Sequence, residues 1–301
     1  MTIDLNGLAV DYIDQGQGPV VLLLHGWAAP ISIYQCIIDR LSRKYRVLAP
    51  QMPGSGKTPE PKAPMTLEDY VRFVADFCRA LGVEECVLMG HSHGGRVIFS
   101  MLSQPTPPVR CRKVVLIDSA GVLPQRPASY YVKVYSYKLA RKLAQAKVTK
   151  PLFGPLYEKM RQNRGSEDYR NASEVMKKTL VNLVNLDLTP LMPQVKQSTL
   201  LIWGENDTET PLRDGQIMEK KTAGQRFGCH QKRRAFSLFG KLGPVFRCVR
   251  RLFIILKTKL VSLPPIPKWA GKAVSCHAPF CKGSFHSLGA GWIWAPTFEF
   301  A

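Results

Sequence analysis

Between residues 5 and 118, short uninterrupted apolar runs alternate with stretches whose apolar residues recur every three or four positions. That alternation leaves few architectures open. Runs of this length suit strands buried on both faces, the intervening stretches suit helices packed on those faces, and together they predict a mostly parallel sheet with helices on both sides. Leu8–Ile13 reads as a short alternating strand closed by Gln15-Gly16-Gln17-Gly18-Pro19, and Val20–Leu24 as the first fully buried strand. A helix through about 31–43 leads to a second buried strand, Tyr45–Pro50. Leu67, Tyr70, Val71, Val74, Phe77, Cys78 and Leu81 form one stripe of an amphipathic helix over 67–81. Cys86–Met89 and Val114–Ile117 supply two further strands, with a helix starting at about Gly94 between them.

The pattern changes at residue 122. Residues 122–197 are rich in Tyr, Lys and Arg, punctuated by proline and free of strand-like runs, and predict several short helices set over the strand ends as a cap. Leu200–Trp203 resumes the sheet, and a helix opened by Pro211 runs to about 221. The expected organisation is therefore a core of residues 1–121 and 198–222, a cap at 122–197, and an anomalous region at 223–301. That last region is dense in Arg, Cys and Pro and shows no clear alternation, so the last strand and helix are expected to be disrupted.

At 301 residues the chain can bury one large core. The net charge of +20 raises nucleic acid or an anionic surface as a partner, but its distribution argues against both. Residues 223–301 hold 13 Lys/Arg against one acid, leaving a net of only +8 on residues 1–222. The N-terminus has no basic and apolar leader pattern, and no apolar run reaches membrane-spanning length, so a cytoplasmic protein is expected. The eight cysteines form no C-x-x-C, and buried free thiols are expected for the first four.

Gly90-His91-Ser92-His93-Gly94 follows an apolar strand and precedes a helix, the G-x-S-x-G pattern of a serine on a tight turn. Such a serine is a nucleophile only when a base and an orienting acid are supplied. Other short strings stand at strand ends: His25-Gly26-Trp27, Pro53-Gly54-Ser55-Gly56, Leu116-Ile117-Asp118-Ser119-Ala120-Gly121 and Trp203-Gly204-Glu205-Asn206-Asp207. With these strings in this order, residues 20–222 resemble the alpha/beta-hydrolase fold family, in particular its small capped esterases and carbon–carbon bond hydrolases.

The resemblance implies Ser92 as nucleophile and the backbone N–H groups of Trp27 and His93 as the oxyanion hole. It implies Asp207 as the acid, with Asp118 as a second candidate. His93 is expected to line the pocket rather than act as base, His25 to tie neighbouring loops together, and Glu205 and Glu209 to be solvated loop charges. Gly90 and Gly94 are expected to let strand and helix approach. No metal and no organic cofactor is implied. The substrate is expected to be a small molecule carrying an ester, an acyl bond or a carbon–carbon bond of a keto acid, with neither nucleic acid nor membrane as partner. Serine at the elbow argues against the haloalkane dehalogenases and epoxide hydrolases of the family. Gly54-Ser55-Gly56-Lys57-Thr58 looks like the end of a phosphate-binding loop, but that pattern needs glycine where the chain has Gln51, and Pro59 and Pro61 stand where a helix should open.

The catalytic histidine is the missing part. His230, His277 and His286 are the only histidines after Asp207, and none lies in the Gly-His loop that the resemblance leads one to expect. Back-translating residues 227–240 with free wobble bases and shifting forward by one nucleotide permits LVVIKNAGHFPFLE, a strand and an Ala-Gly-His loop with the histidine at the codon of Ala235. Continuing through Phe253 permits SLGQFSAVLDGFL, an amphipathic helix. The expectation is a reading-frame change near 222–224, and the alternative to an active hydrolase is a catalytically impaired relic or ligand-binding protein.

Overall fold

The chain opens on a hairpin, β1 (Thr2–Leu5) and β2 (Leu8–Gln15), turned by Asn6 and Gly7 with φ of 56° and 82°. Positive φ at both central residues is what a two-residue hairpin turn needs, and Asn-Gly supplies it at little cost. The structure, a computed structural model, describes residues 1–126, 128–146, 149–162, 167–222 and 225–231. β3 (Val20–Leu24) is followed by a 3₁₀ turn at Ile31–Tyr34, helix α1 (Gln35–Leu41) and β4 (Arg46–Pro50). Pro30, in extended backbone, opens this segment, so one turn is 3₁₀ where a single helix over 31–43 is expected.

Helix α2 (Leu67–Ala80) begins in a capping box: the Thr66 hydroxyl accepts from the Asp69 N–H, and the Asp69 carboxylate accepts from the Thr66 N–H. Then come β5 (Glu85–His91), α3 (His93–Leu102) and β6 (Arg110–Ile117). Among the described residues, four α-helices and a 3₁₀ turn at Met192–Gln194 separate β6 from the next strand: α4 (Ala128–Gln145), α5 (Lys150–Gln162), α6 (Glu167–Asn171) and α7 (Glu174–Val184) are the α-helices. The first two are longer than the short helices expected. β7 (Ser198–Gly204), α8 (Leu212–Lys221) and β8 (Gln225–Gln231) complete the described elements.

The strands form one sheet in the order β1-β2-β4-β3-β5-β6-β7-β8, parallel from β4 to β8. Alternate residues of the central strands feed two separate cores. Leu22, Leu24, Leu48, Leu88, Leu116, Leu201 and Trp203 face one of them, and Val21, Leu23, Val47, Met89, Val115 and Ile202 face the other. Burial on both faces is why these strands read as continuous apolar runs.

β8 is a strand that the side-chain pattern does not announce. It pairs in parallel with β7 from Thr199↔Gln225 to Gly204↔Gln231, with a register shift between Leu201 and Trp203. Its sequence, QRFGCHQ, has neither alternation nor an apolar run, so the main-chain ladder with β7 carries it. Residues 223–224 and 232–301, and with them the proposed frame change, the histidine it would restore and most of the anomalous region, lie outside the described residues.

Helix α7 is bolted to the sheet layer at several points. The Thr179 hydroxyl accepts from the Met65 N–H at 2.9 Å, Asn182 Nδ2 donates to the Met65 carbonyl, and the Leu188 N–H donates to the Gly121 carbonyl at 2.8 Å. Arg96 of α3, itself buried, donates through Nη1 to the carbonyls of Leu183 and Leu186 at 2.9 and 3.1 Å. A cation there meets carbonyls at and just beyond the C-terminus of α7 and the negative end of the helix dipole.

Candidate active site

The strand order reverses around β3: the chain passes to β4 on one side and β5 on the other. In open parallel sheets the crevice beyond the carboxyl ends at such a reversal is where ligands bind. Two loops meet there, 25–27 after β3 and the turn at Ser92 after β5.

Ser92 has φ 47° and ψ −108°. A non-glycine residue held in such backbone costs about 1–3 kcal/mol, so its surroundings must fix it. The Ser92 N–H donates to the Ile117 carbonyl at 3.1 Å, and the Ser92 carbonyl accepts from the N–H groups of Gly95 and Ala120 at 3.1 and 3.0 Å. Three glycines make the approach sterically possible. A β-carbon at Gly94 would overlap the Leu24 carbonyl oxygen, and one at Gly95 would overlap the Ser119 hydroxyl. One at Gly90 would stand 2.8 Å from Gly94 C and Gly95 N. Gly95 is the glycine whose role sequence reasoning missed; the Gly94-Gly95 doublet was the available signal.

The loop after β3 closes against this turn. A β-carbon on Gly26 would lie 2.8 Å from His91 Nδ1 and 3.5 Å from Ser92 Cβ. The buried Tyr34 hydroxyl joins the two segments, accepting from the Gly26 N–H at 3.1 Å and sharing a hydrogen bond with His91 Nδ1 at 2.8 Å. Among the described residues, the amides of Trp27 and His93 donate to no hydrogen bond.

Each histidine of this corner is neutral. His25 is buried; its Nδ1 donates to the Gly26 carbonyl at 2.7 Å, and its Nε2 accepts from the Met52 N–H at 2.7 Å. It ties the loops after β3 and β4, and burial pushes its pKa down to about 4. Burial likewise takes His91 to about 4. His93 is buried edge-on to the rings of Trp27 and Tyr70, at centroid distances of 5.9 and 4.6 Å. Its Nε2 has no hydrogen-bond partner among the described residues, and burial, then the charge on Arg96, pushes it to about 3.

The two acid candidates end neighbouring strands. Buried Asp207 follows β7; its Oδ1 accepts from the N–H groups of Glu209 and Thr210 at 2.8 and 2.9 Å. The Thr210 hydroxyl lies 3.0 Å from Asp207 Oδ2 and 3.1 Å from the Asp118 carbonyl, sharing its one proton between them. Asp118 follows β6 at φ 41°, and its Oδ1 accepts from the Gly204 N–H at 2.7 Å. Burial raises its pKa to about 7, against the pull of the Gly204 bond and with help from the Asp207 charge. Tyr34, Arg96 and Thr210 were not singled out from the sequence. Arg96 had a visible signal, a lone cation in the apolar string Val97-Ile98-Phe99 and its neighbours.

His25, His91 and His93 make no hydrogen bond to Asp207. A carboxylate has about four acceptor sites, and Asp207 uses two on Oδ1 and one on Oδ2, so one site on Oδ2 stays open to a further donor. His230 lies within β8, paired with Trp203, rather than in a loop beyond the strand. His277 and His286 lie outside the described residues.

The 54–58 loop has no phosphate cradle. The N–H groups of Gly54, Ser55 and Thr58 donate to the carbonyls of Pro59, Met52 and Ser55. Gln51 occupies the space beside Gly56 and spends its own amide on the Ile31 N–H and the Ala29 carbonyl. Among the described residues no group of three or more His, Cys, Asp or Glu side chains could hold a metal ion. No described helix is long and apolar enough to cross a membrane. Cys36, Cys78, Cys86 and Cys111 are free thiols, the middle two buried and the outer two partly exposed.

Residues 19–236 match the family model of the alpha/beta hydrolase fold. A 2-hydroxy-6-oxo-6-phenylhexa-2,4-dienoate hydrolase of Comamonas testosteroni is 26% identical over 239 residues, covering 70% of this chain and 79% of its own. The crystal structure of a membrane phospholipase A, a bacterial virulence factor, superposes with a TM-score of 0.66 at 21% identity, covering 86% of each chain. The enol-lactonase from Burkholderia xenovorans LB400 gives a TM-score of 0.62 at 18% identity, covering 86% of this chain and all of its own. At such identities the two structures speak for the fold.

Proposed function

Because this chain belongs to the alpha/beta hydrolase fold family, we propose that it is built as a serine hydrolase in which Ser92 attacks a small ester, an acyl bond or the carbon–carbon bond of a keto acid. The observation that carries this reading is the turn at Ser92, a serine held at positive φ by three backbone hydrogen bonds and three glycines at a strand-order reversal. Holding a side chain in that backbone is costly and gives no packing in return. The amides of Trp27 and His93, which donate to no hydrogen bond among the described residues, serve as the oxyanion hole, usually the largest single contribution to such catalysis. Asp207, with one acceptor site open, is the acid that would orient a histidine. The relative that hydrolyses a 6-oxo dienoate and the fold neighbour that opens an enol lactone set the range of substrates worth assaying. Helices α4 to α7, inserted between β6 and β7, act as a cap that selects among them. The free thiols suit a reducing cytoplasm.

A second reading rests on the histidines. The proton of the Ser92 hydroxyl needs an acceptor, and His25 and His91 already bond neighbouring loops, while neither they nor His93 bonds Asp207. Without its base the same scaffold would bind substrate and retain only the residual rate of the oxyanion hole.

One set of measurements separates the readings. The full chain is treated with a fluorophosphonate probe and assayed on p-nitrophenyl acetate and on a 6-oxo dienoate, alongside Ser92→Ala. Labelling and turnover that both vanish in Ser92→Ala support the active reading. Labelling or turnover that persists in Ser92→Ala removes Ser92 as nucleophile. Turnover that appears only after a one-nucleotide change near codons 222–224 supports the impaired reading, and the nucleotide sequence there tests the frame change directly.

A further inference from the structure

We propose that helix α4 is a docking face for an anionic phospholipid surface. The helix inverts the usual arrangement of an amphipathic surface helix. Its small residues Ala140 and Ala144 are buried, while Tyr131, Val132, Tyr135 and Leu139 stand 51%, 68%, 65% and 59% exposed. Positions 131, 135 and 139 recur every four residues and so line one face, with 132 beside them. The inward side is already occupied: Tyr137 packs on Tyr157 of α5, the two hydroxyls 3.2 Å apart.

The charges on the helix choose the occupant of the outward face. Its eighteen residues, ASYYVKVYSYKLARKLAQ, contain four basic residues and no acid. Lys138, Arg141 and Lys142 are exposed, Lys138 and Lys142 on the same face as the apolar row. Lys138 Nζ lies 5.6 Å from the centre of the Tyr135 ring, one residue pair presenting an aromatic and a cation together. Apolar and aromatic side chains interleaved with lysines are what an interfacial helix needs, since the chains enter the acyl boundary while the ammonium groups rise to the phosphates.

A second copy of this chain is a poor partner for the same face. It would bring lysine against lysine with no carboxylate on the helix to pair them. A nucleic acid would use the cations and leave Val132 and Leu139 in water. The +8 tally over residues 1–222, which argues against a membrane partner, averages away a helix whose acids are all elsewhere.

The test is sedimentation of the full chain with extruded vesicles of phosphatidylglycerol and phosphatidylcholine in equal parts, against vesicles of phosphatidylcholine alone. Residues 223–301 carry their own positive charge, so the informative variant leaves charge unchanged: Val132→Ser, Tyr135→Ser and Leu139→Ser together. Its binding to the anionic vesicles is expected to fall about tenfold or more, since several apolar groups no longer leave water. Lys138→Gln with Lys142→Gln is expected to lose most of the preference for anionic over neutral vesicles. Circular dichroism and sizing verify that both variants keep the fold and mass of the parent. Absence of vesicle binding, or a triple variant that binds like the parent, overturns the proposal. So does a triple variant whose only change is a smaller mass on sizing, because the occupant is then a second copy.

Discussion

Helices α3 and α4 stand at opposite extremes of burial. Every residue of α3 is buried, including Arg96 and Ser100, whereas the exposed face of α4 carries two tyrosines, a valine and a leucine. The α3 sequence is the more apolar, with one Lys/Arg in ten residues against four in eighteen, and its backbone adds to the difference: Gly94 and Gly95 let α3 sink until its first turn touches the Leu24 carbonyl and Ser119. A helix sunk that far carries its polar side chains inside with it, and each must find partners or cost stability. Arg96 finds two carbonyls; His93 Nε2 finds none among the described residues.

The strongest way to break this contrast is to block the approach. Gly94→Ala or Gly95→Ala places a methyl group into backbone or into Ser119. Loss of the folded state, or destabilisation by more than about 4 kcal/mol, is expected from such overpacking, read as insoluble expression or a collapsed denaturation midpoint. A variant at Gly95 that folds with parent stability would show that α3 can ride up without loss.

Arg96→Met comes next. It removes the charged donor from the Leu183 and Leu186 carbonyls, the first of which keeps the Leu186 N–H, so a loss of about 1–3 kcal/mol in denaturant titration is expected. Faster amide exchange around 183–188 should accompany it. Burial lowers the Arg96 pKa only to about 10, so it is charged at neutrality and this effect should not vary between pH 6 and 8.

Proton linkage sharpens the contrast from the polar side. His25, His91 and His93 have folded pKa values of about 4, 4 and 3 against 6.5 unfolded. Their stabilising share is complete above 6.5 and is lost as pH falls toward 4, because the unfolded chain takes up the protons. Asp118 runs the other way: its folded value of about 7 exceeds the unfolded 3.8, so its share is complete below 3.8 and is lost as pH rises through 7. Each proton is worth about 1.4 kcal/mol per pH unit. Stability should therefore decline below pH 6.5, and Asp118→Asn, which removes the opposing group, should steepen that decline in melting curves. An unchanged slope in Asp118→Asn would mean that this carboxyl is ionised throughout.

The smallest effect belongs to α4. Leu139→Ser should shift stability by no more than about 0.5 kcal/mol in either direction, since the side chain is already in water. A loss of 2 kcal/mol would mean that the face is covered in solution.

Much of the sheet was legible because burial on both faces writes itself as unbroken runs, as at Val20–Leu24 and Val114–Ile117. The α2 stripe was legible for the same reason, one apolar arc on one core. The hairpin turn at Asn6-Gly7 was written plainly as well and went unread. β8 could not be read, because a ladder of N–H and C=O groups is indifferent to the side chains of QRFGCHQ. At the candidate site, local strings pointed to Ser92 and Asp207. Arg96 to Leu183 and Thr210 to Asp118 join residues far apart in the chain, and no spacing encodes such a meeting.

Helix α7 makes three attachments, two to Met65 and one to Arg96, and the Leu188 N–H just beyond it holds the Gly121 carbonyl; all belong to segments that frame the sheet. Mechanically it is the doorpost rather than the door. If the helices over residues 128–171 swing to admit a substrate, the chain must absorb that motion ahead of Ser173, whose side chain caps α7.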